Sequence, residues 1–262
     1  MTVEERARRQ YADERNLNAR INLHRRFSTN PVTWARWLFD QMRLAEGARI
    51  LELGAGTGLL WNENRDRLPT GLHLVFTDPS AGMLAAAKAN LAGIPHVEVR
   101  QADASQIADA DQTFDAVIAN HMLYEVPDRT AVFSEVVRVL RPTGELYAAT
   151  NGANHMRELD QLIGPARTPA AGIPTRFSLE NGETQLTPFF GSVELRRHDN
   201  RLAVRELAAA MAYVRSLTLD LSEDEDGRIA EAIGEVIDRE GAFNITRDSG
   251  LFICRQPRPA PG

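Results

Sequence analysis

Ile50-Leu51-Glu52-Leu53-Gly54-Ala55-Gly56-Thr57-Gly58-Leu59-Leu60 is the stretch on which the reading of this 262-residue chain turns. Ile50, Leu51 and Leu53 form a short apolar run of the kind that fills a buried parallel strand. It stops at three glycines, and a helical stretch follows at once. Glycine lets the backbone turn sharply there and approach a ligand closely. The new helix offers unpaired N–H groups at the same point. This pattern reads as a nucleotide-type cofactor site. Many α/β proteins use such a turn for packing alone, so the residues downstream have to decide between the two.

Outward from this turn, the chain alternates strands and helices. His73 to Thr77 is a second buried strand, closed by Asp78; Pro79-Ser80 opens an alanine-rich helix to Leu91. Val97 to Gln101 is a third strand, running into Ala102-Asp103-Ala104. Phe114 to Ala119 is a fourth, ending in Asn120-His121-Met122. Asp128 caps a helix with Val132, Val136, Val139 and Leu140 on one face, and Glu145 to Thr150 is a fifth strand. Alternation at this spacing implies a doubly wound, mostly parallel sheet.

The flanks are less regular. In Met1 to Asn30, Leu17, Ile21 and His24 share a helical face. Such a helix lies on the surface, packs on a second copy, or forms a lid whose Tyr11, Arg20 or His24 reaches a ligand. Asn30-Pro31 supplies a helix start, Trp34, Trp37, Leu38 and Met42 a core stripe, and Gly47 a stop. Beyond the fifth strand, Asn154 to Ile163 and Leu179 to Phe190 read as helices, and Val193 to Arg197 as a strand. Gly164 to Pro174 reads as a connection. Helical stretches at Arg205 to Leu217 and Glu223 to Arg239 precede strand material at Phe243 to Thr246 and Leu251 to Cys254. The resulting division is an arm or lid over 1–46, a core over 47–204 and 241–256, a helical cap over 205–240, and a proline-rich disordered tail over 257–262.

Composition sets bounds. Hydrophobic content of 43% and charged content of 25% are those of an ordinary globule. No stretch approaches the roughly 20 apolar residues of a membrane span, and no secretory leader is evident, so a cytoplasmic protein is expected. The single cysteine, Cys254, excludes an intramolecular disulfide framework and any cysteine-rich zinc site. A net charge of -6 argues against a nucleic-acid-binding face. No His/Cys/Asp/Glu spacing suggests a metal.

The carboxylates carry more information than the glycines. Glu52 precedes Gly54 by two residues, Asp78 closes the second strand, and Asp103 lies just past the third. In a parallel sheet the strand C-termini open onto one edge, where ligands bind. Each acid suits one part of a sulfonium nucleoside. Asp78 can accept from paired ribose hydroxyls, Asp103 from an adenine amine, and Glu52 can help hold an ammonium head.

With Glu52-Leu53-Gly54-Ala55-Gly56-Thr57-Gly58, Asp78, Ala102-Asp103-Ala104 and Arg138-Val139-Leu140-Arg141-Pro142-Thr143-Gly144-Glu145-Leu146, the chain resembles class I S-adenosyl-L-methionine (SAM) dependent methyltransferases. The likeness covers Gly47 to about Thr150 and is greatest for the small-molecule branch with the ubiquinone and menaquinone biosynthesis enzymes. Thr143 stands where relatives carry a second glycine, and Tyr124-Glu125 where they often show a histidine pair. The arm and the cap look like those of natural-product methyltransferases. The resemblance implies a Rossmann-like seven-stranded sheet and SAM as cofactor. It implies that Gly54, Ala55 and Gly56 pass beside the methionine part, with Glu52 at its amino end. Asp78 would take the ribose, Pro79 and Met83 pack near the adenine, Asp103 and Ala104 meet its edge, and Asn120 lie close to the reacting methyl.

Methyl transfer from a sulfonium needs the nucleophile, methyl and sulfur held in line, and a base only if the nucleophile must lose a proton. His121, Tyr124, Glu125 and His155 are the base candidates, His121 foremost by its ordinary pKa of about 6.5. The expectation is methylation of a small organic acceptor, in natural-product or quinone-like metabolism, with no nucleic-acid or membrane partner and with self-association through the arm. Phe189, Phe190, Met211 and Tyr213 suggest an apolar acceptor pocket or simply core. The alternatives are a nucleic-acid methyltransferase, an NAD-dependent oxidoreductase and a non-catalytic SAM-binding protein. Gly54, Gly56 and Gly58 give G-x-G-x-G rather than the dinucleotide fingerprint G-x-G-x-x-G. Asn120-His121-Met122-Leu123 lacks the Pro-Pro-aromatic motif common in enzymes acting on base amines.

Overall fold

A computed structural model of the chain describes residues 14–164 and 176–258. A seven-stranded sheet organises it, with β1 (Arg49–Leu53), β2 (His73–Asp78), β3 (Val97–Gln101), β4 (Phe114–Asn120), β5 (Leu140–Asn151), β6 (Phe190–Val204) and β7 (Phe243–Pro257). The order across the sheet is β3-β2-β1-β4-β5-β7-β6. The first five strands run parallel, and β7 is antiparallel to both β5 and β6. The order reverses between β1 and β4, so a crevice opens beyond their C-terminal ends.

The described helices are α1 (Glu14–Phe27), α2 (Trp34–Asp40), α3 (Leu59–Glu63), α4 (Ala81–Asn90), α5 (Arg129–Val139), α6 (Arg157–Ile163), α7 (Gly182–Leu186), α8 (Leu207–Ser216) and α9 (Glu223–Glu240). Their starts follow local chemistry. The Ser80 hydroxyl accepts from Met83 N ahead of α4, and Asp128 accepts from Ala131 N ahead of α5. Ser222 and Glu225 form a reciprocal capping box ahead of α9, whose first turn is wholly acidic.

Alternation along the strands separates two cores. Leu51 and Leu53 face α5 and the Phe133, Phe177, Phe189 and Phe252 cluster. Ile50 and Phe76 face α2, α3 and α4, where Leu38 and Trp61 are wholly buried. A third core exists because the β6–β7 hairpin outruns the sheet. β5 pairs β7 only from Ser249 to Cys254, whereas β6 pairs it back to Phe243. The overhanging Leu202, Val204, Phe243 and Ile245 are covered by α1, α6, α8 and α9.

Several expectations are corrected. Thr33, not Asn30, caps α2; Asn30 instead binds the Asp199 carbonyl and turns the chain through Val32 N. The helix stops at Asp40, and Gly47 belongs to the turn into β1. Leu179 to Phe190 holds only the five-residue α7, because Phe189 and Phe190 are drawn into the core against Phe133 and the sheet. The two short strand segments near the C-terminus are one 15-residue strand, and its pairing carries Pro257 out of the expected tail. Arg258 N still donates to Phe189 O. Residues 1–13 with Tyr11, the 165–175 connection and 259–262 lie outside the described residues, as does the side chain of Leu17.

Candidate active site

The turn after β1 is set by its glycines. Gly54 and Gly56 have φ of +60° and +55°, a region that side chains make costly. Their surroundings differ. A Cβ on Gly54 would fall 2.8 Å from Met122 Cβ, so Gly54 is needed for packing against the β4 loop. A Cβ on Gly56 would meet nothing within 4 Å, so Gly56 presents bare backbone to open space. Ala55 N donates to Thr77 O at 3.0 Å, pinning the turn to β2.

Asp78 fastens this turn to the next loop. Oδ2 accepts from Gly56 N at 3.0 Å and Oδ1 from Ser80 N at 2.8 Å. Each oxygen keeps a second lone pair for a ligand. Burial raises its pKa, against the pull of those two N–H groups. Asp103 is exposed on the loop after β3; Oδ1 accepts from Ser105 N and Oγ, both at 2.8 Å, while Oδ2 has no hydrogen bond. Met83 is buried beneath Asp78's loop, Pro79 is exposed, and Ala104 is half-buried.

Glu52 departs from the expectation that three acids share one open crevice. It lies one residue inside the strand end, on the face toward α3, only 3% exposed, and accepts from Trp61 Nε1 at 2.6 Å. Burial pushes its pKa up to about 8, the Asp78 charge adding to the rise and the Trp61 bond opposing it. It is therefore largely protonated at neutral pH.

The end of β4 opens a second group of residues. Asn120 Oδ1 accepts from Trp34 Nε1 at 3.4 Å. His121 has a φ of +56° while its N–H donates to Ala149 O at 3.0 Å. Its ring packs 5.1 Å from Trp34 and 6.5 Å from Tyr124, centroid to centroid. Nδ1 is buried without a hydrogen-bond partner. Burial, then the charge of Arg247, lowers its pKa to about 3, so the neutral imidazole prevails.

Sequence reasoning read Trp34 and Trp37 as core and passed over His198 and Arg247. The indoles stack on each other and meet His198 at 5.4 and 5.0 Å. His155, His24 and Tyr213 adjoin the same cluster. Arg20, one of the residues that would reach a ligand if the arm were a lid, ties α1 to α8 through Ser216. Among the described residues no group of three His, Cys, Asp or Glu could hold a metal ion.

Comparison with known proteins bears on the family and the fold. Residues 50–144 match the family model described as "Methyltransferase domain". The uncharacterized methyltransferase Mb3374 of Mycobacterium bovis is 32% identical over 192 residues, 69% of this chain and 74% of that protein. The demethylmenaquinone methyltransferase of Beutenbergia cavernae is 35% identical over 131 residues, 50% of this chain and 52% of its own. The chain thus spans about half the length of the curated quinone-pathway relatives it matches. The solved YcgJ protein from Bacillus subtilis shares the fold, with a TM-score of 0.57 at 17% identity over 84% of this chain and 96% of that one. This chain belongs to the class I SAM-dependent methyltransferases. Its cofactor is accordingly S-adenosyl-L-methionine, and the bare backbone at Gly56 beside the Asp78 carboxylate suits a ribose and its attached chain.

Proposed function

We propose that this protein transfers the methyl group of SAM to a small organic acceptor bound beside the β4 loop. The observation that supports this most directly is the joint between Gly56 and Asp78. The carboxylate is already oriented by two backbone N–H groups, so little rearrangement is needed to receive a pair of hydroxyls. The cofactor supplies an activated methyl on a sulfonium, which leaves as a neutral thioether when the acceptor attacks.

The chain's own residues bind and align. Gly54 to Gly56 carry the methionine portion past the backbone. Asp103 Oδ2 and Ala104 meet the adenine edge, with Met83 and Pro79 beside it. Glu52, buried and bonded to Trp61, braces the glycine turn from beneath. Asn120 sits where the methyl emerges, its amide oxygen fixed by Trp34. His121 and Tyr124 face the acceptor; His121, held as the neutral imidazole and a weak base, orients the acceptor by hydrogen bonding, and the nucleophile needs no base if it carries its own lone pair. The acceptor class we favour is quinone-like or natural-product in character, in keeping with relatives named demethylmenaquinone methyltransferase.

Titration calorimetry with SAM, S-adenosylhomocysteine and NAD tests the cofactor, and labelled-methyl transfer to an extract of small metabolites tests the reaction. Micromolar binding of the first two without an NAD signal, and label in a low-molecular-weight product, are expected. Label in nucleic acid instead, or SAM binding with no turnover on any pool, would overturn the proposal.

A further inference from the structure

The cluster beyond β4 holds a charge that the protein leaves unanswered. Arg247 lies on β7 opposite Asn200 of β6, in the inward-facing row with Ile245 and Ser249. It is only 9% exposed and its Nε is buried without a hydrogen-bond partner. Among the described residues no carboxylate pairs with it, although arginine–carboxylate pairs are common elsewhere, as at Arg26–Glu206, Arg36–Asp66, Arg67–Asp40 and Arg138–Asp111. The nearby acids are engaged elsewhere. Asp248 pairs with Arg197, and Glu158 accepts from Thr246 N and Oγ1. A buried cation without a counter-charge is costly to fold, which argues for an occupant that supplies one.

Its neighbours add no negative charge. His24, His121, His155 and His198 surround it, and burial together with the Arg247 charge keeps all four neutral at pH 7. His24 Nδ1 and His121 Nδ1 are unpartnered, and His198 lies against the Val32 backbone without forming a good hydrogen bond. Ser249 holds His155 Nδ1 at 3.3 Å. Among the described residues Tyr213 is the one acidic side chain that favours the Arg247 cation, weakly as a phenol, and Arg20 adds positive charge at the His24 side. Arg247 itself is lowered only to about 10, so it remains charged. Its guanidinium lies 6.0 Å from the Trp34 ring, at the outer limit of a useful cation–π contact. Trp34 in turn bonds Asn120. The unanswered charge therefore stands one indole away from the end of β4.

We propose that Arg247 receives a negatively charged oxygen group, carboxylate or phosphate, on the acceptor. Neutral imidazole N–H groups of the surrounding histidines supply the remaining donors. This rests on the methyl-transfer reading above for the word acceptor, and the guanidinium fork suits either oxyanion bidentately.

The test titrates the S-adenosylhomocysteine-loaded protein with matched pairs: benzoate and methyl benzoate, 4-hydroxybenzoate and its methyl ester, 1,4-dihydroxy-2-naphthoate and its methyl ester, phenyl phosphate and phenol. At least one anion should bind tenfold or more tightly than its neutral partner, and the best pair tells carboxylate from phosphate. Arg247→Met should erase that preference while leaving S-adenosylhomocysteine affinity within twofold, and Arg247→Lys should keep part of it. Should Arg247→Met fail to fold, the wild-type comparison and Arg247→Lys decide alone. Equal binding of every pair, or a preference that survives Arg247→Met, overturns the proposal. Failure of S-adenosylhomocysteine to bind would instead strike at the methyl-transfer reading, and the same pairs titrated into the free protein would still judge the anion site.

Discussion

Gly56→Ala separates cofactor binding from folding. The substitution places a methyl at a φ of +55° but in contact with nothing within 4 Å. Its folding cost is therefore the left-handed strain alone, about 1–2 kcal/mol. In a chain of this size that lowers the melting temperature by about 2–8 °C. In the proposed placement the open space it fills is the side from which the cofactor's chain passes the turn, and Gly56 N is the donor that orients Asp78 Oδ2. SAM affinity should fall at least tenfold, about 1.4 kcal/mol or more. Gly54→Ala is the counterpart. Its Cβ would overlap Met122 Cβ at 2.8 Å, adding about 1–3 kcal/mol of overpacking to the same strain. Thermal melts and SAM titrations of both proteins should show Gly54→Ala as the greater loss of stability. Gly56→Ala should be the one with the larger loss of affinity relative to its loss of stability. A Gly56→Ala protein that binds SAM within twofold of wild type refutes the placement of the cofactor against this turn.

Asp78→Asn keeps the side chain's shape but leaves one of the Gly56 and Ser80 N–H groups facing an amide nitrogen, so SAM titration should show a loss of tenfold or more in a protein that still melts cooperatively. Glu52 has a folded pKa of about 8, above its unfolded value, so its contribution is present at low pH and lost as pH rises from about 4.5 to 8; denaturant midpoints of Glu52→Gln should fall less than wild type's between pH 5 and 8.5. The histidines act in the opposite sense. His198 is held near 4 and His121 near 3, so stability falls as pH drops below 6.5, and His198→Gln should flatten that acid limb. Leu23→Ala, at a position 1% exposed in α1, should cost about 2–5 kcal/mol by denaturant titration, in contrast to a loosely attached lid.

What the sequence made legible was local. β1, β2 and β4 announce themselves as apolar runs, and Asp78 sits where a strand ends and a serine-capped helix begins. Each of those features is set by neighbours in the chain. Glu52 is not on the open crevice with the other two acids because alternation, not proximity to the glycines, decides which face a strand residue takes. It shares a face with Ile50, toward Trp61, and is buried there. The long hairpin was read as fragments because its inward row changes character midway. In β7 that row runs Phe243, Ile245, Arg247, Ser249, and in β6 Val204, Leu202, Asn200, His198. The apolar half looks like a strand and the polar half like a loop.

That change of character has a physical meaning once the register is known. Asn200 lies opposite Arg247, and His198 opposite Ser249, so the polar halves of the two rows coincide. The apolar halves also coincide, and they are sealed by α1, α6, α8 and α9. A strand pair that only had to cover the sheet edge would gain from apolar residues along the whole row, since each inward polar group costs desolvation. Here the polar section falls only where the hairpin passes the C-terminal ends of β4 and β5, level with Asn151, whose Oδ1 accepts from Ser249 Oγ at 2.7 Å. The hairpin thus serves two purposes along one row. Its tip anchors a helical layer, and its middle brings a cation and neutral imidazoles to the β4 loop. The parallel half of the sheet forms the glycine turn and Asp78, while the antiparallel half contributes His198, Asn200, Arg247 and Ser249 beside the β4 loop. A change in acceptor preference is therefore expected to follow substitutions in β6 and β7, with SAM affinity left to the loops after β1 and β2.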